Sequence, residues 1–109
     1  MTRDAGLEEA VREMLGEWDG LSEKRMFGGL AWLLDGHLLC AARDDGVLVR
    51  LGKGLDGWAL AVEGVTPMAM RGRPMAGWVW VAPESFADED LARRLIEAAL
   101  TFVRGLAEA

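Results

Sequence analysis

Short apolar runs punctuated by Asp-Gly turns fill the stretch from residue 30 to residue 51. The runs are Leu30–Leu34, His37–Arg43 and Val47–Leu51, and Asp35-Gly36 and Asp44-Asp45-Gly46 separate them. Asp-Gly readily adopts the positive φ angles that a two-residue hairpin turn requires, and each run has the length of a strand. The pattern therefore predicts an antiparallel meander of three strands.

Amphipathic segments surround this meander. Apolar residues at helical spacing predict a first helix from Leu7 towards Trp18, a short helix between residues 52 and 64, and a long helix after Pro83. Two further apolar runs, Val65–Met70 and Met75–Ala82, predict a strand pair around the turn 71–74. The order α-β-β-β-α-β-β-α indicates an α+β fold with helices layered on one sheet. At 109 residues, the chain is expected to form one domain over residues 1–109.

Charge and composition narrow the function. A net charge of −6 opposes attraction to phosphates, so we do not expect the isolated chain to bind duplex DNA. Cys40 and His37 are the only residues of their types, which excludes a disulfide framework and a Cys/His zinc cluster within one chain. We expect no metal and no cofactor.

No apolar run has the length of a membrane span and no signal peptide is recognisable, so we expect a cytoplasmic protein.

The run Met75–Ala82 is apolar on both sides. In an extended strand, Met75, Gly77, Val79 and Val81 would point one way, and Ala76, Trp78, Trp80 and Ala82 the other. Either this strand is covered on both sides within the chain, or one side meets a partner or a ligand. The adjacent turn carries Arg71 and Arg73 without any nearby acidic residue, which suits a solvated turn or an anion site.

A second unusual segment is Lys24-Arg25-Met26-Phe27-Gly28-Gly29. It lacks the Lys-Ser/Thr of a P-loop, so we predict a tight turn leading into a strand rather than a phosphate cradle. His37 and Cys40 lie three residues apart on a predicted strand and should project to opposite faces, which excludes a nucleophile pair. We find no catalytic set and expect a protein that is not an enzyme.

Several of these segments, taken together, resemble those of a known protein family. The segments Arg25–Gly29, Val65–Met68, Gly72–Met75 and Gly77–Val81 resemble the N-terminal domain of the TfoX/Sxy family of competence regulators, in the same element order over nearly the whole chain. The resemblance implies a two-layer fold similar to type III secretion chaperones and a link to transcription of DNA-uptake genes. Since the chain ends at Ala109, we expect a stand-alone domain without the C-terminal domain of full-length regulators. The resemblance supplies no catalytic residues.

We therefore expect a non-enzymatic interaction domain with a role in transcriptional or competence-type regulation, acting on a protein partner or a second copy. The candidate contact residues are Arg25, Phe27, Arg71, Arg73, Trp78 and Trp80. One alternative is nucleic-acid association through Arg25, Arg71 and Arg73. Another is a small ligand in a pocket lined by Met68, Met70, Met75 and Trp78.

Overall fold

An antiparallel sheet of six strands forms one layer of the fold, with the strand order β1-β2-β3-β4-β6-β5. The computed structural model describes residues 5–26 and 28–108. Its elements are α1 (Ala5–Leu15), β1 (Leu21–Met26), β2 (Gly29–Leu34), β3 (His37–Arg43), β4 (Gly46–Arg50), α2 (Gly57–Leu60), β5 (Val65–Met70), β6 (Arg73–Val81), α3 (Pro83–Phe86) and α4 (Glu89–Glu108). The predicted α+β class is confirmed, and the predicted order holds with one additional strand, β1, and one additional short helix, α3.

Two of the hairpin turns follow from local chemistry. Asp35 and Gly36 have φ angles of 50° and 83°, as a two-residue turn between β2 and β3 requires. The turn between β5 and β6 is shorter than predicted, because Arg71 and Gly72 alone make it, with φ angles of 54° and 78°. Arg73 therefore already belongs to β6.

The main core lies between the helices and one face of the sheet. Apolar side chains of α1 and α4 pack there against alternate residues of the central strands, including Val47, Val49, Val79 and Val81, which are all fully buried. Helix α4 begins after Asp88, whose Oδ1 accepts hydrogen bonds from the backbone N–H groups of Asp90 and Leu91 at 3.1 and 3.3 Å. In the part of the chain described, no helix is long and apolar enough to span a membrane.

Strand β1 is the element that the sequence pattern did not predict. Its four central residues, 22–25, are all exposed and polar, so no alternation of apolar side chains marks it. It forms because its backbone pairs with β2, and hydrogen bonds to Glu23 connect it to the core. Glu23 Oε1 accepts hydrogen bonds from Trp32 Nε1 at 3.0 Å and from Arg12 Nε at 2.7 Å. The bond from Arg12 is the main reason that the pKa of Glu23 is lowered.

Candidate functional site

Strand β6 presents apolar side chains to both faces of the sheet. Val79 and Val81 lie in the main core under the helices, whereas Trp78 and Trp80 project to the opposite face, as the alternation predicted. Both tryptophans are partly buried, and the apolar residues that cluster with them in the described part of the chain all lie on strands. We call this side of the sheet the open face.

A second apolar cluster covers the middle of the open face. Its buried members are Ala31, Ala41 and Leu48, and its partly buried members are Met26, Leu33, Leu38, Met68, Trp78 and Trp80. We call these residues the open-face cluster. The small central side chains are shielded by the larger ones around them, and those larger side chains have water on their outer side. In residues 5–26 and 28–108, the sheet thus has apolar surface on both sides but helices packed on one.

A bulge in β6 alters the predicted alternation at Met75. The register pairs Pro67 with Val79 and then Ala69 with Pro74, so residues 75–78 lie opposite Met68 alone. Gly77 has a φ of 87°, and its carbonyl accepts hydrogen bonds from the N–H groups of residues 51 and 52 at 2.7 and 3.1 Å. The prediction that Met75 shares the side of Val79 is wrong, because the bulge adds residues to β6 and turns Met75 towards the open face.

The bulge creates a small apolar pocket on the open face. It has a volume of about 130 Å³ and is lined by Leu38, Ala41, Arg43, Leu48, Met68, Met75, Trp78 and Trp80. Three of the four residues predicted to line a pocket do so, and the side chain of Met70 lies outside what the structure describes. A space of this size holds one large apolar side chain or one aromatic ring.

Two arginines stack on the tryptophans of this pocket. The Arg43 guanidinium carbon lies 5.6 Å from the centre of the Trp80 ring. That of Arg50 lies 5.0 Å from Trp78 and 5.5 Å from Phe102. Arg43 forms an ion pair with Asp45 at 3.1 Å, whereas Arg50 donates only to the carbonyl of Leu38 at 3.4 Å. Within the described residues, Arg50 has no carboxylate partner. Sequence reasoning missed both arginines, because their contacts depend on the pairing of β4 with β6.

The cationic residues singled out in the sequence do not form one patch. Arg25 pairs with Leu30 on β2, so it faces the helix side at one edge of the sheet. Arg71 and Arg73 lie in the last hairpin near the other edge, four strand steps from β1, which corresponds to ~19 Å. Phe27, the remaining predicted contact residue, lies outside the described residues.

His37 and Cys40 do not take the predicted opposite faces. A bulge between Trp32 and Leu33 shifts the register, so that His37 lies opposite Leu34 and Cys40 opposite Trp32, both of which face the helices. Cys40 is completely buried, and burial raises the pKa of its thiol, which disfavours the reactive thiolate. Among the residues that the structure describes, no group of three His, Cys, Asp or Glu side chains could hold a metal ion.

The TfoX N-terminal domain is the family whose model matches residues 13–103, a span that includes the whole open-face cluster. The chain belongs to this family. The resemblance inferred from the Met-Phe-Gly-Gly and Gly-Arg-Pro-Met segments is thereby confirmed, and it links the TfoX N-terminal domain described here to TfoX-type regulation at the level of the family. No significant match was found to any curated protein or to any solved structure.

Proposed function

We propose that this TfoX N-terminal domain is a non-enzymatic interaction domain that serves transcriptional or competence-type regulation in the cytoplasm. It does so by protein–protein contact at the open face. The observation that carries the proposal is the position of Trp78 and Trp80, partly buried on a side of the sheet against which no described helix packs.

Physical chemistry supports contact as the role of this face. Covering apolar surface contributes ~25 cal/mol for each Å² removed from water. Tryptophan, methionine and arginine are the residue types that concentrate in the centres of interfaces, and Trp78, Trp80, Met68 and Arg50 combine them on one surface. A reducing cytoplasm suits a chain whose one thiol, Cys40, is buried and unpaired.

The test compares two substitutions that each introduce one glutamate at an apolar position. Met68→Glu places the charge in the open-face cluster, and Leu55→Glu places it at a leucine that is 58% exposed and outside the cluster. Wild-type and variant chains are used to capture proteins from a native lysate, with quantification of each retained protein. Light scattering on the purified chains reports self-association.

We expect at least one specific contact, with a retained protein or with a second copy, to persist in Leu55→Glu and to be lost in Met68→Glu. Equal retention and equal mass for both variants would show that the open face is not the contact surface. A wild-type chain that retains no protein and stays monomeric would also overturn the proposal.

A small apolar ligand in the pocket is the second candidate function. The apolar pocket beside Met68, Met75 and Trp78 favours it, because about 130 Å³ suffices for one aromatic ring. Titration with indole, followed by the NMR signals of methionine methyl groups, should give saturable shifts of Met68 and Met75. Signals that stay unchanged, or that shift without saturation, would remove this candidate.

A further inference from the structure

We infer that the occupant of the open face is an acidic amphipathic helix of a partner protein. Its apolar stripe would cover the open-face cluster, and carboxylates beside the stripe would reach Arg43 and Arg50. This inference rests on the proposed function and names the chemistry of the partner.

The charges on the open face favour an acidic partner. The strand register places Lys24, Arg43 and Arg50 on this side, opposite Ala31, Gly46 and Trp78 respectively. Glu23, the one acid within a described strand, pairs with Trp32 on the helix side. Asp45, in the turn after β3, pairs with Arg43 beside Trp80 and leaves Lys24 and Arg50 as the excess positive charge of this side. The stacked Arg50 guanidinium is held in place and lacks a carboxylate among the described residues.

The shape of the open face favours a helix. Ala31 and Ala41 are adjacent on β2 and β3, so small side chains form part of the floor of the open face, and Trp78 and Trp80 lie on β6, two strands from β3. A helix is ~10 Å wide, which matches about two strand spacings. The pocket of about 130 Å³ beside this floor accepts one large apolar side chain, in the way that anchor residues fill pockets at interfaces.

The spacing of the two arginines sets the spacing of the partner's acids. Arg43 pairs with Gly46 at one end of β4, and Arg50 lies four residues further along that strand. Four residues of strand extend ~13 Å. A helix that runs along β4 covers this distance in ~9 residues, since each residue rises 1.5 Å. Carboxylates two to three helical turns apart would therefore reach both arginines.

Other occupants fit the same surface less well. A second copy docked face to face would bring two sets of Lys24, Arg43 and Arg50 together, and Asp45, which pairs with Arg43, would neutralise only part of that positive charge. A single-stranded nucleic acid would need ring faces for stacking, but Arg43 and Arg50 already cover Trp80 and Trp78.

The experiment is a selection from displayed peptides. The library consists of 18-residue amphipathic helices that lack tryptophan, with a varied aliphatic stripe and with flanking positions randomised equally among Glu, Lys and Gln. It is selected on the full chain and on three variants. These are the double variant Arg43→Gln with Arg50→Gln, the open-face variant Met68→Glu, and Arg93→Gln, which removes an exposed arginine of α4 as a control.

We expect glutamate to be enriched at least tenfold over lysine at the flanking positions, with pairs 7–11 residues apart. Selected peptides should bind Arg93→Gln unchanged, lose their preference for glutamate on the double arginine variant, and lose all binding on Met68→Glu. Circular dichroism establishes that each variant is folded. Arg43→Gln alone replaces the double variant if that one unfolds, because the Arg43 side chain is 41% exposed.

Three results would overturn the inference. The first is that no peptide is retained, or that glutamate is not enriched. The second is that a 12-nucleotide oligo-dT or oligo-U displaces the selected peptides. The third is a wild-type dimer that Met68→Glu dissociates, since a second copy would then be the occupant. If lysate capture still depends on Met68 while the library shows no preference for glutamate, the proposed function stands and only this inference fails.

Discussion

A substitution at Gly77 tests whether β6 contains the bulge that shapes the pocket. The φ of 87° at Gly77 is a left-handed conformation that costs an L-residue ~1–2 kcal/mol. A Cβ there would lie 2.4 Å from the carbonyl carbon of Gly52 and from the backbone N of Lys53, atoms that cannot rotate away. Overpacking of this kind adds ~1–3 kcal/mol. Gly77→Ala should therefore lower the free energy of unfolding by ~2–5 kcal/mol.

Gly72→Ala is the matched control. Its φ is 78°, close to that of Gly77, but nothing lies within 4 Å of the position its Cβ would take. Only the conformational cost of ~1–2 kcal/mol applies there. Urea denaturation followed by tryptophan fluorescence measures both variants, since the chain has five tryptophans. Equal losses for the two variants would show that β6 does not approach residues 52 and 53, and the account of the pocket would fail.

Three further predictions concern the scaffold. Because the pKa of Glu23 is lowered in the folded state, its stabilisation is complete above the unfolded pKa of ~4.3 and is lost as the pH falls through the folded value. Between pH 5 and pH 3, the free energy of unfolding measured by urea titration should therefore fall less in Glu23→Gln than in wild type. Glu13→Gln is the control, and an equal fall in the free energy of unfolding for the two variants would contradict this prediction. Arg71 has a φ of 54°, so Arg71→Asn should stabilise the hairpin by up to ~1 kcal/mol, and a lower melting temperature would refute the described turn. Cys40 should resist iodoacetamide until urea unfolds the chain, and rapid labelling of the native protein would show that its burial is wrong.

Local patterns were sufficient for most of the fold. The Asp35-Gly36 turn and the apolar runs around it determined the meander, because turn residues and strand propensities act over a few neighbouring residues. The charged stretch that becomes β1 carries no such signal. It is a strand because its backbone pairs with β2 and because Glu23 bonds to Trp32, and neither contact can be read from the stretch itself.

The amino-acid sequence by itself determined that Trp78 and Trp80 share one face of a strand, since alternation is a property of the extended chain. Only the tertiary structure decided that no helix among the described residues covers this face, that Met75 turns towards it and that Arg43 and Arg50 stack on its tryptophans. These features arise where β4 pairs with β6 and where Gly77 meets residues 52 and 53. Segments so far apart in the chain meet through the topology of the sheet, which no local pattern encodes.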